Sequence, residues 1–104
     1  MNPQDNIVLT EAVFYTLLAL YSPLHGYGIM QETGKMSGGR LRLSAGTLYG
    51  AISSMLEKGW IRALPGEEES RRKEYVITDL GKCIARTELT RLRELVENGT
   101  KIIE

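Results

Sequence analysis

The sequence predicts a mainly helical chain with one small β-hairpin, and three observations carry that prediction. Three segments between Thr10 and Gly59 have apolar residues at helical spacing. Two short runs of β-formers follow at 60–64 and 74–77, and a long amphipathic segment begins after Thr78. With 104 residues and 42% apolar content, the chain is expected to form one domain around a single core.

The first helical segment begins at Thr10, a good N-cap residue, and ends before Pro23. It is apolar nearly all round, so one side is expected to face the core of its own domain and the other side a partner chain. We assign Phe14 and Leu17 to the contact with that partner. Residues 1–7, which precede the segment, are mostly polar and are expected to be flexible.

Composition excludes several classes of protein. The chain has one cysteine, Cys83, and one histidine, His25, so it holds neither an internal disulfide nor a Cys/His metal cluster. We expect Cys83 to be a small buried side chain, His25 to pack or cap a helix, and the protein to need no cofactor or metal.

The longest apolar run, 12–21, is shorter than the roughly 20 residues that span a bilayer, and no charged region precedes it as in a signal peptide. A cytoplasmic protein without a membrane partner is therefore expected.

A second helix is expected from Gly26 to Ser37, ended by the two glycines at 38–39. The side chains expected on its inner side are Ile29, Met30, Thr33 and Met36. Residues 41–43 are expected to form a short strand before a third helix that starts after Ser44. Three helices with a tight connection before the third indicate a helix-turn-helix arrangement.

The third helix carries the most informative pattern. Ser44 is an N-cap residue and Gly59 follows the last turn. Apolar residues at helical spacing form one stripe to bury: Leu48, Ile52, Met55 and Leu56. The opposite side lacks the mixture of Glu and Lys that a solvated face usually has, and carries small, hydroxyl-bearing or aromatic residues instead: Gly46, Thr47, Tyr49, Gly50, Ser53 and Ser54.

Such a face is suited to lie close against another surface, and duplex DNA is a good candidate. The major groove accommodates an α-helix, whose first-turn side chains reach base edges while its N-terminal amides meet phosphate. The alternative is an ordinary amphipathic helix with a weakly polar back. For Tyr49, and for Tyr27 in the second helix, the alternative is a core aromatic with its hydroxyl at the surface.

Charge is distributed unevenly, although 13 basic and 13 acidic residues give a net charge of zero. Residues 24–65 carry five bases against two acids, a net charge of +3, whereas the first 23 residues and the residues after 73 are net acidic. Positive charge is therefore expected around the third helix, as phosphate contact requires.

The two runs of β-formers are separated by a turn and a charged segment, which predicts a β-hairpin with a long tip. A hairpin directly after the third helix is the wing of a winged helix-turn-helix. The basic arm of this wing is expected along the sugar-phosphate backbone with Arg71, Arg72 and Lys73. Three glutamates at 67–69 are repelled by phosphate, so either the tip points away from DNA or the basic arm makes the contact from the strand behind it. The alternative is a solvated charged turn.

A last helix is expected after Thr78, and its apolar residues are spaced 4, 3, 4, 3, 4 at Ala85, Leu89, Leu92, Val96, Gly99 and Ile103. Such a heptad seam either packs on its own domain or joins two chains. Because the domain before it is already complete, we favour dimerisation through Leu89, Leu92, Val96 and Ile103. Asn98 and Gly99 offer an alternative in which the helix ends early.

Three strings in this chain resemble a known family. SPLHGYGIMQE at 22–32, LSAGTLYGAISSMLEKGWI at 43–61 and SRRKEYVITDLGK at 70–82 are similar to the PadR family of bacterial winged helix-turn-helix transcriptional regulators. The resemblance covers roughly residues 8–82. It implies a homodimer that represses transcription by placing one recognition helix of each protomer in the major groove of a palindromic operator, often in response to a small aromatic or hydrophobic effector. A tail with a single helix resembles the shorter subfamily.

By the same resemblance, the DNA-contacting positions fall on Tyr27, Ser44, Gly46, Thr47, Tyr49, Arg71, Arg72 and Lys73. Ala45 and Gly50 stand where the family commonly has proline. Without proline at its first position the helix start is less preorganised, and Gly50 costs about 1 kcal/mol relative to alanine. These two departures bear on the operator sequence that the helix prefers.

The sequence therefore predicts a winged helix-turn-helix DNA-binding domain over residues 8–78 and a dimerisation helix over residues 79–104. The predicted function is that of a sequence-specific transcriptional regulator that binds double-stranded DNA as a homodimer. The alternative is a winged helix that contacts only proteins. Neither paired carboxylates, nor an activated nucleophile, nor a phosphate-binding loop indicates an enzyme.

Overall fold

The protein is described by a computed structural model that covers residues 7–65 and 73–104. The helices are α1 (Glu11–Ala19), α2 (Gly26–Met36), α3 (Ala45–Glu57) and α4 (Asp79–Ile103). The strands are β1 (Leu24–His25), β2 (Ile61–Ala63) and β3 (Glu74–Ile77), and they form an antiparallel sheet in the order β1-β3-β2. The predicted fold class, mainly helical with a small hairpin and a C-terminal helix, is confirmed.

Each of the four helices begins at a side chain that accepts a hydrogen bond from the backbone N–H three residues further on. These N-caps are Thr10, His25, Ser44 and Thr78, and their donors lie 3.0–3.2 Å away on Val13, Gly28, Thr47 and Gly81. A cap of this kind satisfies one of the amides that a helix start leaves unpaired. The predicted caps at Thr10, Ser44 and Thr78 are confirmed, and of the two roles expected for His25 the structure shows the cap.

The core lies where α1, α2 and α3 meet the sheet and the first turns of α4. Its largest fully buried side chains are Leu17, Leu20, Ile29, Leu48, Ile52, Met55 and Ile61. Trp60, at the junction of α3 and β2, is also buried. Ile7 packs against this core, while residues 1–6 of the segment predicted to be flexible lie outside the described part of the chain.

Three predicted details of the helix-turn-helix are wrong. Residues 41–43 form no strand, and the third strand of the sheet is instead the two-residue β1, in which Leu24 pairs with Tyr75. Ser37 accepts a hydrogen bond from the amide of Leu41, which holds the loop in a turn. Met36 and Leu56, which the sequence pattern predicts to be buried, are each 37% exposed.

Leu17 is fully buried inside the protomer, with 0% of its surface exposed. Its assignment to a partner contact is therefore wrong, because a side chain enclosed by its own core offers no surface to a second chain. Phe14, the other residue of α1 assigned to that contact, is only half-buried and packs against the edge of the core.

Helix α4 is continuous for 25 residues, about 37 Å, so it does not end at Asn98 and Gly99. Its first turns are packed on the domain, where Gly81, Ile84, Ala85 and Glu88 are buried. Its second half projects from the domain, and Val96 and Ile103 are 68% and 85% exposed. The first half of the predicted apolar seam therefore packs against the protomer's own domain, and the second half is exposed.

Glu88 ties α4 to the segment that leads into α1. Its carboxylate is buried and accepts hydrogen bonds from the amide of Leu9 at 2.9 Å and from the guanidinium of Arg91. The hydrogen bond from Arg91 lowers the pKa of Glu88 below its ordinary value, and the Leu9 bond adds to this effect while burial opposes it. The charged form of Glu88 is therefore the one that the fold favours.

The variant Glu88→Gln is expected to lower the free energy of unfolding by about 1–3 kcal/mol at neutral pH, because Arg91 loses its charged acceptor. A carboxyl whose pKa is depressed by folding stabilises above its unfolded pKa of about 4.3 and loses that contribution as pH falls through the folded value. The difference between wild type and variant should therefore shrink in acid. Urea unfolding at neutral and acidic pH measures it, with Glu94→Gln on an exposed part of α4 as the control. A difference that does not change with pH would contradict this account.

Candidate nucleic-acid interface

Helix α3 has two contrasting faces. Leu48, Ile52 and Met55 are buried in the core. The opposite face is exposed and consists of small residues, hydroxyls and one aromatic ring, at Ala45, Gly46, Thr47, Tyr49, Gly50 and Ser53. The division of the helix follows the sequence pattern, apart from the exposed Leu56.

The start of α3 is organised by a reciprocal pair of side chains. The Ser44 hydroxyl oxygen accepts from the Thr47 amide at 3.2 Å, and the same hydroxyl donates to Thr47 Oγ1 at 3.0 Å. The Thr47 hydroxyl hydrogen is then available to donate outward. The amides of Ala45 and Gly46 have no acceptor within the helix, and together with the helix dipole they favour an anion at this point.

Gly46 and Gly50 leave the backbone of α3 open to approach. A Cβ atom built on either residue would have no described heavy atom within 4 Å outside its own helix, and neither residue has the positive φ that requires glycine. Each therefore costs helix stability without a packing or conformational reason inside the described protomer. Their effect is to let another surface come close to the helix backbone.

Two tyrosines border this face. Tyr49 is 49% exposed and Tyr27, near the start of α2, is 63% exposed, so the alternative of core aromatics is wrong for both. The Tyr49 ring reaches across to Gly26, the first residue of α2. The ring of Tyr27 lies 6.5 Å from that of His25, between centroids. The N-terminus of α2 and the exposed face of α3 are thereby brought together.

The basic residues near α3 are partly occupied by contacts within the protomer. Arg40 pairs with Glu11 on α1, and this hydrogen-bonded ion pair raises the pKa of Arg40 further. Lys35 lies 3.7 Å from Glu32, and the Lys58 ammonium lies 4.8 Å from the centre of the Trp60 ring. The net charge of +3 already counts Glu32, whereas Glu11 lies outside this segment, so the pairing of Arg40 weakens the positive charge further than the sequence suggests. Arg42, two residues before the Ser44 cap, and Arg62 on β2 are exposed.

The wing is formed by β2 and β3, in which Arg62 pairs with Val76 and Ala63 with Tyr75. Of its predicted basic arm, Lys73 directly precedes β3 and is exposed. Arg71 and Arg72 lie outside the described residues, as do the three glutamates at 67–69.

Sequence comparison decides the family. Residues 15–87 match the sequence model described as the Transcriptional regulator PadR-like family. The chain belongs to the PadR-like family. A relative from Streptomyces fradiae, an uncharacterized 37.1 kDa protein in transposon TN4556, is 37% identical over 73 residues. That match covers 69% of this chain but 20% of the relative, so the chain spans about a fifth of the length of this relative.

Solved structures share the fold. A transcriptional regulator from Clostridium thermocellum superposes with a TM-score of 0.73 at 22% identity, over 89% of this chain and 92% of that one. A PadR family transcription regulator from Clostridium difficile gives a TM-score of 0.72 at 21% identity, over 90% and 98% of the two chains. At this identity the similarity concerns the fold alone. It confirms a winged helix followed by a C-terminal helix.

Two structural features beside this face were missed by sequence reasoning: the contact of Tyr49 with Gly26 and the strand β1 that precedes Gly26. The strand has only two residues, too few for a periodic signal. Gly26, the glycine of the HGY string, was the one residue in the sequence that could have indicated the contact with Tyr49.

Within residues 7–65 and 73–104, no helix is both long and apolar enough to cross a bilayer.

Proposed function

We propose that this PadR-like protein is a sequence-specific DNA-binding repressor that acts as a homodimer on a palindromic operator. One observation carries the proposal: over residues 45–53 the exposed face of α3 has no charged side chain and, apart from Tyr49, only small or hydroxyl-bearing residues, while its N-terminus is capped and open to an anion. A helix with this surface can enter the major groove deeply, with one α3 from each protomer reading one half of the operator. A dimer bound across a promoter represses by occupying the DNA.

Affinity and specificity come from different groups in this proposal. The amides of Ala45 and Gly46 donate hydrogen bonds to phosphates, and the exposed cations Arg42 and Lys73 neutralise phosphate charge. These contacts hold the protein on any duplex. Arg71 and Arg72 are proposed to extend this contact along the wing. The Thr47 hydroxyl donates to a base edge, Tyr49 also contacts the bases, and Tyr27 contacts the sugar-phosphate backbone at the edge of the groove.

The uncovered half of α4 supports dimerisation. Leu89, Leu92 and Val96 line a shallow, almost entirely apolar groove of about 310 Å³, and Ile103 continues the exposed apolar surface towards the helix end. A contiguous apolar patch on a helix that projects from its domain is expected to be covered, and the heptad spacing of these residues fits a second copy of the same helix. Phe14 lines the adjacent cavity together with Leu92, which extends the surface onto α1.

Replacing Val96 with aspartate is expected to raise the dissociation constant of the dimer by about 100-fold, because an unpaired charge would be buried in the interface. The protomer itself should stay folded, since Val96 is mostly exposed. Sedimentation equilibrium measures the association, and Thr90→Asp, an exposed position on the side of α4 away from the seam, is the matched control. A dimer that tolerates Val96→Asp, or a monomeric wild type, would refute this interface.

A small hydrophobic or aromatic effector has a site of suitable size in this proposal. A cavity of about 350 Å³ lies between α1 and α4, with apolar walls from Leu9, Phe14 and Leu92 and with Arg40 and Glu88 at its polar edge. Ligand pockets in proteins begin at about this volume. Because the cavity lies between α1 and the helix proposed to dimerise, a bound effector would change the spacing of the two recognition helices.

The proposed function is tested by fluorescence anisotropy with a labelled duplex from upstream of the protein's own gene and a scrambled duplex of equal length. We expect about 10³-fold preference for the upstream duplex and an affinity that falls steeply with salt. Equal binding to both, or none, would favour the alternative of a winged helix that contacts only proteins.

A further inference from the structure

The phenol of Tyr49 occupies the space that a side chain at position 26 would need. A Cβ atom built on Gly26 would clash with the Tyr49 hydroxyl oxygen and would lie 2.9 Å from Tyr49 Cζ and 3.4 Å from Cε1. Gly26 is buried, lies in the first turn of α2, and has no positive φ. A side chain at position 26 would therefore have to displace this phenol, which belongs to a residue of α3.

Tyr75 lies in the neighbourhood of the same phenol. Tyr75 lies on β3, is 7% exposed, and pairs with Leu24, two residues before Gly26. Burial raises the pKa of Tyr75, and the proximity of the Tyr49 phenol adds to the shift. The Tyr49 phenol thus lies where α2, α3 and the sheet meet, although the residue as a whole is half exposed.

This contact fixes how α3 presents its exposed face. Tyr49 lies in the same stretch of α3 as Gly46 and Gly50. Because its ring is held against α2, the rotation of α3 about its own axis is fixed. The connection between α2 and α3 passes through two glycines with positive φ, Gly38 and Gly39, and contains no regular element. Side-chain contacts between the helices therefore set their relative orientation.

We propose that Gly26 is a positioning residue for DNA recognition, because its missing side chain seats Tyr49 and so orients the exposed face of α3 towards the groove. The inference rests on the proposed DNA-binding function and assigns a role to a residue that does not itself reach the DNA.

The variant Gly26→Ala tests this role. The atom in the way is the far end of a half-exposed side chain, so the added methyl displaces the Tyr49 ring without opening the core. We expect specific DNA affinity to fall by about tenfold while binding to scrambled DNA and the thermal midpoint change little. Gly34→Ala in the same helix is the matched control, because a Cβ there would meet only Leu41 O at 3.9 Å and has room.

The decisive measurement is the same substitution in a Tyr49→Ala background. With the phenol removed, the methyl at position 26 has nothing to displace, so Gly26→Ala should cause no further loss of specific affinity, and the two effects should be strongly non-additive. In the free wild-type protein, nuclear Overhauser contacts between the Tyr49 ring and the Gly26 Hα atoms should be present.

The outcomes separate this role from the proposed function. In one set of results the wild type prefers the operator while Gly26→Ala lowers specific DNA affinity equally in the wild-type and Tyr49→Ala backgrounds, or in neither of them. Either result overturns the role of Gly26 and leaves the proposed function standing. Absence of the nuclear Overhauser contact also overturns it, whatever the DNA result. A wild type that prefers no operator overturns the proposed function and, with it, the part that Gly26 plays in DNA recognition.

Discussion

Replacing Gly81 with alanine is expected to lower the free energy of unfolding by about 3 kcal/mol, since the new methyl group has nowhere to go. A Cβ atom at Gly81 would clash with the carbonyl oxygen of Trp60 and would lie 2.6 Å from Ile77 Cγ1. The Trp60 carbonyl cannot retreat easily, because it accepts from both the amide and the hydroxyl of Thr78, at 3.0 and 2.9 Å. Relief of the clash must therefore move the start of α4 away from the sheet.

Thermal and urea unfolding measure this effect. In a domain of this size the loss corresponds to a fall in Tm of more than about 10 °C. Gly50→Ala is the control, because a Cβ there has open space and alanine should stabilise α3 by about 1 kcal/mol. A Gly81→Ala variant as stable as the wild type would show that α4 does not pack on Trp60 as described.

Replacing Gly46 with glutamate is expected to reduce DNA affinity by at least about 100-fold while leaving the fold intact. The side chain would extend from the exposed first turn of α3, where a Cβ atom has no heavy atom of the described residues outside its own helix within 4 Å. An acidic residue in this turn is favourable for the helix by about 0.3–1 kcal/mol, because it opposes the positive end of the dipole. Against DNA, the same carboxylate meets phosphates and fills the space needed for close approach, and like charges in contact cost several kcal/mol.

Fluorescence anisotropy with the upstream duplex measures the DNA affinity of Gly46→Glu, and thermal melting followed by circular dichroism measures whether its fold is intact. Thr90→Glu on α4 is the matched control, since it adds the same charge at an exposed position on another element. We expect Thr90→Glu to lower DNA affinity only slightly, through the change in net charge. Undiminished DNA binding by Gly46→Glu, with a normal melting curve, would mean that the exposed face of α3 is not the contact surface.

The local chemistry of the chain made much of the fold predictable. Ser44 and Thr78 are side chains that bond the backbone three residues on, and Gly59 adopts a φ of 77° after α3, so these boundaries follow from single residues. The strand β1 could not be foreseen, because two residues acquire extended structure only by pairing with β3. The burial of Leu17 was equally hidden, since a helix apolar nearly all round does not reveal which side the core covers.

The candidate site was predictable on α3 and less so around it. The spacing of Leu48, Ile52 and Met55 alone identified the face that is left exposed. The pairing of Arg40 with Glu11 joins residues 29 apart in sequence, and no local pattern indicates it. The same holds for Tyr49 and Gly26, where the contact depends on how two helices cross. Long-range contacts of this kind come from packing and not from propensity.

We propose above all a direct contact between the exposed face of α3 and duplex DNA. Its most direct test is an NMR titration of the isotope-labelled protein with the upstream duplex, following every backbone amide. We predict that the largest shift changes fall on residues 44–50, with smaller ones at Tyr27 and Lys73 and little change over residues 95–103. Large changes confined to the exposed half of α4, with the amides of residues 44–50 unmoved, would contradict it.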